Sequence, residues 1–61
     1  MFYYIYCLTP NTRLNSHFLD EIGKEHDLEK AKQKAIKYSE EHNILTEIYD
    51  NKNNLVWQFI S

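Results

Sequence analysis

Apolar residues gather at the two ends of this chain of 61 residues, and a stretch with helical periodicity lies between them. Residues 2–8 are aromatic or aliphatic apart from one cysteine, a pattern typical of a strand that is buried on both faces. Thr9, Pro10 and Asn11 follow. Because Pro has no N–H to give to a strand ladder, we expect the first strand to end at these residues.

The stretch 12–26 is compatible with two structures. A strand at about residues 16–21 would form a hairpin with the first strand. Alternatively, Phe18, Leu19 and Ile22 would share one face of a short helix that Gly23 ends. The strand is favoured, because the helix that follows has a separate start of its own.

That helix is the clearest element of the sequence. Asp27 is a good N-cap, since its carboxylate can accept hydrogen bonds from N–H groups of the first turn. One side of the helix then carries the apolar and small residues at helical spacing: Leu28, Ala31, Ala35, Tyr38, Ser39 and His42. Asn43 can adopt the left-handed conformation that ends a helix. The two alanines would allow the helix axis to approach a sheet closely.

Residues 44–50 and 54–60 are predicted to form a hairpin, with a type I turn that places Asn53 in the left-handed conformation. We expect Asp50 to lie opposite Asn54, which fixes which residues share a face. One face would hold the pairs Ile48–Val56, Thr46–Gln58 and Ile44–Ile60. The other face would hold Tyr49–Leu55, Glu47–Trp57 and Leu45–Phe59. In this register both faces of the hairpin are largely apolar.

The sequence therefore predicts one α+β domain spanning residues 1–61. Its fold would be a small antiparallel sheet of three or four strands with one helix packed on one face, in the order ββαββ or βαββ. A single helix covers one face, so the other would leave large apolar side chains in contact with water. With one cysteine, Cys7, the chain cannot add an internal disulfide, and small domains then commonly gain stability from a partner.

Five aromatic residues are the candidate partner-binding site: Tyr4, Tyr6, Tyr49, Trp57 and Phe59. Tyr and Trp are enriched at the energetic centres of protein interfaces. We interpret the chain as a non-enzymatic protein-binding module whose partner is a second copy or a larger host protein. Asn, Lys, Ile and Tyr make up more than a third of the chain, which is typical of AT-rich coding DNA. This bias suggests a phage or mobile-element inhibitor that occupies a surface of a host enzyme or defence complex.

Two alternatives stay open at this point. Aromatic side chains on a sheet can stack with single-stranded nucleic acid, although a net charge of −2 disfavours binding to phosphates. The second alternative is a homodimeric accessory domain that buries its aromatic faces against each other.

Enzymatic chemistry has little support in the sequence. His17, His26 and His42 do not have the spacing of a zinc site, and Cys7 resembles a small buried apolar residue more than a nucleophile. Gly23 is the one glycine, so no phosphate-binding loop is expected. We expect no catalytic residues, metal or cofactor. The chain has no apolar run of membrane-spanning length and no signal-peptide pattern, so we expect a cytoplasmic protein without a membrane partner.

Overall fold

The computed structural model describes residues 1–11 and 16–60, with side chains described for residues 1–8 and 19–60. The strands are β1 (Tyr3–Asn11), β2 (Ser16–Glu25), β3 (Thr46–Tyr49) and β4 (Leu55–Phe59), and the helix is α1 (Leu28–His42). All neighbouring strands are antiparallel, in the order β2-β1-β3-β4. The predicted α+β fold is confirmed in its ββαββ form.

The first hairpin is longer than the sequence indicated. β1 runs to Asn11, so Thr9, Pro10 and Asn11 belong to the strand, and the expectation that they end it with a turn was wrong. Beyond Leu8 the described part of β1 pairs with β2 alone, and a strand with one neighbour tolerates Pro10. The alternative of a short helix is also excluded. Gly23 lies within β2 opposite Ile5, and its φ is not positive.

Both predicted ends of α1 are confirmed. The Asp27 side chain accepts a hydrogen bond of 3.0 Å from the N–H of Glu29. At the other end Asn43 has φ 54°, and its N–H donates to the carbonyl of Ser39. Ala31 and Ala35 are fully buried between these ends, so the small side chains bring the helix close to the sheet.

The core lies between α1 and the two central strands. Its buried apolar residues are Ile5 of β1, Ile48 of β3 and the alanines Ala31 and Ala35 of α1. Four partly buried residues pack around this cluster: Tyr3, Ile22, Leu28 and Trp57. Since α1 lies over β1 and β3, the two edge strands are at the margins of the helix-covered face.

The turn between β3 and β4 agrees with the sequence analysis. The N–H of Asp50 donates to the carbonyl of Asn54 at 3.0 Å, and Asn53 has φ 66°. The Asp50 carboxylate also accepts from the N–H groups of Lys52 and Asn54, both at 2.9 Å. These hydrogen bonds, led by that from Asn54, lower the pKa of Asp50 below its usual value.

The register beyond this turn differs from the predicted one. Tyr49 does lie opposite Leu55, but an irregularity follows, so that Ile48 lies opposite Trp57. Thr46 accordingly lies opposite Phe59. The extra residue in β4 is Val56, and an extra residue moves every later side chain to the other face of the strand. The predicted pairs Ile48–Val56, Thr46–Gln58, Glu47–Trp57 and Leu45–Phe59 were therefore wrong.

Candidate functional site

One face of the sheet carries no helix within the described residues, and we call it the open face. Side chains alternate along a strand, and the burial of the sheet follows that rule. The residues that point to α1 are fully or almost fully buried: Ile5, Cys7, Thr46 and Ile48. The residues between them point to the open face and are half-buried: Tyr4, Tyr6, Glu47 and Tyr49. The centre of the open face thus lies on β1 and β3, the two strands that have a neighbouring strand on each side.

A tyrosine row crosses all four strands of the open face. The strand register aligns its members, which are Lys24, Tyr4, Tyr49 and Leu55. Leu55 is 50% exposed at one end of the row. Next to the other end, the ring of Phe2 lies 6.3 Å from that of Tyr4, and Lys24 Nζ lies 4.8 Å from the Phe2 ring centre. Aromatic surface therefore continues from the row to the N-terminal residues.

An acidic row runs beside the tyrosine row. Its members in register are Glu21, Tyr6, Glu47 and Gln58. Tyr6 therefore has a glutamate on each neighbouring strand. The Tyr6 ring also meets the ring of Tyr49 edge to face, with centres 5.4 Å apart and planes at 85°. The row combines one central aromatic ring with two flanking carboxylates.

A hydrogen bond links the tyrosine and acidic rows. The hydroxyl of Tyr49 donates to Glu47 Oε1 at 3.1 Å. Burial and this hydrogen bond both raise the pKa of Tyr49 above its usual value, with burial the larger cause. The hydroxyl is the donor of this hydrogen bond, which holds the Tyr49 ring in its edge-to-face contact with Tyr6.

A third row on the open face, which we call the leucine row, consists of Leu19, Leu8, Leu45 and Ile60. Leu8 lies opposite Leu19, and its N–H donates to the carbonyl of Leu45 at 2.9 Å. The alternation continued from Gln58 places Ile60 on the same face at the far end. Leu19 is 47% exposed and Ile60 is 71% exposed. The open face thus offers apolar contact area directly beside the acidic row.

The five predicted site residues do not form one surface. Tyr4, Tyr6 and Tyr49 lie together on the open face, whereas Trp57 and Phe59 lie on the helix side of β4. The rings of Trp57 and Phe59 are stacked there, with centres 5.9 Å apart and planes at 9°. The bulge at Val56 is the cause of this separation.

Sequence reasoning missed the glutamates of the open face. Alternation within β3 already placed Glu47 on the face of Tyr49 in the sequence analysis, but Glu47 was not included among the site residues. Glu21 could not have been found in this way, because its position beside Tyr6 depends on the irregularity that the β1–β2 register has between Ile5 and Tyr6.

Cys7 occupies a structural position beneath α1. It is 2% exposed, and its Sγ lies 4.0 Å from the hydroxyl oxygen of Tyr38. This hydrogen bond and burial raise the pKa of Tyr38 above its usual value. Because the helix covers the thiol, Cys7 is poorly placed to attack a substrate.

The two histidines with described side chains contact aromatic rings. His26 Nδ1 is 2.9 Å from the carbonyl oxygen of Met1, and its ring centre is 3.9 Å from that of Phe2. The ring of His42 lies 4.1 Å from that of Tyr38. The side chain of His17 lies outside the described residues. Among the described side chains, no three His, Cys, Asp or Glu residues are grouped as metal ligands.

A cleft between β2 and α1 has a volume of about 190 Å³. Its lining includes Ile5, Ile22, Lys37 and Tyr38. A second, more open cleft beside α1, lined by residues that include Lys30 and Gln33, has about 330 Å³. Small-molecule sites usually enclose about 300–1,000 Å³, so the first cleft lies below this range and the second at its lower end. In the parts of the chain that the structure describes, no helix has the length and apolar character needed to cross a bilayer.

Comparison of the chain with protein-family models, with curated proteins and with solved structures found no match. The function is therefore argued from the open face and its chemistry.

Proposed function

We propose that this chain is a non-enzymatic protein-binding module that docks onto a larger protein through its open face. The observation that carries the proposal is the grouping of Tyr4, Tyr6 and Tyr49 on the face that α1 does not cover. Tyrosine provides large contact area, a polar tip and little conformational entropy to lose, which is why it is frequent at the energetic centres of interfaces.

The acidic row indicates the chemistry of the partner. A guanidinium group stacked on the Tyr6 ring would lie between the carboxylates of Glu21 and Glu47, which are in register on either side. Arg favours this setting because it both stacks on aromatic rings and forms paired hydrogen bonds with carboxylates. The partner surface that fits is one that presents Arg beside apolar side chains, which would contact Leu8 and Leu19.

The same row disfavours the nucleic-acid alternative. Proteins that stack single-stranded bases on a sheet bind the phosphates with basic residues nearby. Here the ring of Tyr6 has a carboxylate on each side. Among the residues of the tyrosine and acidic rows, Lys24 alone is basic. Phosphates would be repelled from the middle of the face.

The mode of action that fits this geometry is steric. A sheet of four strands that adheres to a larger protein would block whatever that surface normally binds. The hypothesis of a phage or mobile-element inhibitor of a host enzyme or defence complex is one form of this proposal. Its support is the composition of the chain together with an interaction face that lacks an accompanying catalytic group among the described side chains.

The direct test is selection of binders from a displayed library of protein segments, followed by affinity measurements on single binders. The informative variants are Tyr6→Thr, which keeps a strand-forming residue, and Glu47→Gln, which keeps the shape of the side chain. Gln33→Ala is the matched control, because Gln33 is exposed on α1, away from the open face.

We expect selected segments to be enriched in Arg and to bind each open-face variant at least about tenfold more weakly, or ~1.4 kcal/mol. Their affinity for Gln33→Ala should be unchanged. Binders that are insensitive to Tyr6→Thr and Glu47→Gln would overturn the proposal. So would salt-sensitive retention on a single-stranded oligonucleotide column that Tyr6→Thr abolishes, since that result would favour nucleic-acid binding.

A further inference from the structure

The two edges of the sheet differ in charge. In the described part of β2, four of the side chains are charged: Asp20, Glu21, Lys24 and Glu25. β4 and the residue after it contain neither a charge nor a proline, with the sequence Leu-Val-Trp-Gln-Phe-Ile. Charged residues and proline are the usual means by which edge strands avoid pairing with another chain. β2 has this protection and β4 lacks it.

The hydrogen-bonding groups that β4 leaves unpaired can be derived from the register. The carbonyl of Leu45 accepts from Leu8 of β1, so alternation points the backbone groups of Thr46 and Ile48 toward β4. Phe59 and Trp57 are their partners and point back toward β3. The proximity of Thr46 Oγ1 to the Phe59 carbonyl oxygen, 3.4 Å, agrees with this direction.

The N–H and C=O groups of Gln58, and those of Ile60 by continued alternation, consequently point outward from the sheet, whereas the bulge interrupts the alternation at Val56. No strand within residues 1–11 and 16–60 pairs with that side of β4. An extended strand is the occupant that satisfies alternating donors and acceptors of this kind.

We infer that β4 pairs antiparallel with β4 of a second copy, about a two-fold axis at Gln58. In this register Gln58 faces Gln58 of the second copy, so their outward backbone groups pair with each other, and Val56 faces Ile60. Registers centred on Trp57 or Phe59 would instead place the polar side chain of Gln58 opposite Val56 or Ile60, which are apolar. Pairing is isologous, and the assembly therefore closes as a dimer.

The side chains on both faces fit the same register. On the helix side, Trp57 comes opposite Phe59 of the second copy in a non-hydrogen-bonded pair, the arrangement with the closest side chains. The existing Trp57–Phe59 stacks of the two copies would then form one aromatic cluster. Val56 and Ile60, which are 39% and 71% exposed in the single chain, also come opposite each other.

The helices leave room for this assembly. Each α1 lies over β1 and β3, so the two helices are separated by about four strand spacings, or ~19 Å. Packed helices need about 8–10 Å between axes, so the second copy meets no clash from α1. Pairing of β4 with β2 of another copy is less favourable, because it would place charged residues against the apolar strand and would continue without closure.

Charge substitution at Gln58 tests the register directly. Gln58 is exposed in the single chain, and the two-fold axis brings its two copies face to face. Gln58→Lys or Gln58→Glu would each place like charges opposite each other, which disfavours strand pairing. Mixed together, these variants place opposite charges at the axis. The controls are Gln33→Lys and Gln33→Glu, which make the same charge changes on the outer side of α1.

The measurement is solution mass by analytical ultracentrifugation, from about 1 μM to about 1 mM. We expect a concentration-dependent dimer for the wild-type chain and for both Gln33 variants, monomers for each Gln58 variant alone, and a dimer when the Gln58 variants are mixed. Circular dichroism of each variant checks that it is folded, and the mixture itself shows that both variants retain a pairing-competent β4.

A wild-type chain that stays monomeric throughout would overturn the inference. A dimer that persists in Gln58→Lys and Gln58→Glu would also overturn it, since the contact would then lie elsewhere. The inference is independent of the proposed function, because the open-face variants Tyr6→Thr and Glu47→Gln leave the outward groups of β4 unchanged.

Discussion

Thr46 Oγ1 lies 3.1 Å from the backbone carbonyl oxygen of Ala35 and donates a hydrogen bond across the interface between β3 and α1. Both residues are fully buried. A threonine methyl group packs like that of valine, while the hydroxyl needs a partner once it is removed from water. The helix carbonyl supplies that partner, so one polar contact fixes the position of α1 along the sheet.

Replacement of this hydroxyl gives the first prediction. Thr46→Val keeps the volume and the strand preference but removes the donor, and we expect the free energy of unfolding to fall by about 1 kcal/mol. Urea denaturation measures the change. Thr46→Ser is the comparison, since it keeps the hydroxyl and loses the methyl group. A Thr46→Val variant that is more stable than wild type would show that the apolar contacts outweigh the hydrogen bond.

Gly23 gives the second prediction. It lies within β2 without a positive φ, and a Cβ added there would lie 3.9 Å from Cδ1 of Ile5, which is ordinary van der Waals contact. Glycine inside a strand carries a large entropic cost, so Gly23→Ala should stabilise the fold by about 0.5–1 kcal/mol. The urea midpoint should rise with an unchanged slope. A lower midpoint would mean that β2 needs the freedom of glycine at this position.

The Asp50 turn gives a prediction of pH dependence. Backbone hydrogen bonds lower the pKa of Asp50 in the folded state, so its ionised form stabilises the fold above the pKa of the unfolded chain. This contribution is lost as the pH falls through the lower, folded value. We therefore expect Asp50→Asn to be less stable than wild type at neutral pH and to approach it in acid.

Thermal unfolding between pH 7 and about pH 3 tests this expectation. Glu40→Gln is a suitable control, because Glu40 is an exposed carboxylate of α1. A constant difference between Asp50→Asn and wild type over this range would contradict the proposed role of the charge. Glu25, whose pKa is lowered mainly by its hydrogen bond with Lys34, should add to the acid sensitivity that remains in the variant.

Local signals predicted much of this fold. Asp27 and Asn43 delimit α1 because capping depends on residues that are adjacent in sequence. Asn53 could be placed in the left-handed conformation for the same reason. Such features need only the chemistry of a few neighbouring residues, and here that chemistry agreed with the folded structure.

The composition of the open face could be predicted only in part. Alternation along β1 places Tyr4 and Tyr6 on the same face. Which residues of the neighbouring strands lie beside them depends on the order of the strands and on irregularities in their pairing. The bulge at Val56 has no glycine to mark it, and it alone decides that Trp57 points toward α1. A single inserted residue reverses all later side chains, so small errors of register change the candidate site.

The separation of Tyr4 from Trp57 gives the last prediction. Trp57 packs against the core cluster and Lys32 Nζ lies 5.7 Å from its ring centre, whereas Tyr4 lies on the open face. Trp57→Ala should lower the free energy of unfolding by about 2–3 kcal/mol, less than the ~3–5 kcal/mol typical of fully buried aromatic residues. Tyr4→Thr should cost at most about 1 kcal/mol, the range of cross-strand contacts.

The stability of both variants is best measured in the Gln58→Lys background, so that loss of dimer contacts does not add to the loss within one chain. Binding is measured in the wild-type background, because Gln58 belongs to the acidic row. There, Tyr4→Thr should weaken the binding of selected protein segments while the helical circular dichroism signal is retained. Trp57→Ala should reduce stability first, with binding per folded molecule unchanged. If Tyr4→Thr proved the more destabilising of the two, the open face would be part of the folding core, and the interaction surface would have to be sought on α1 or the edge strands.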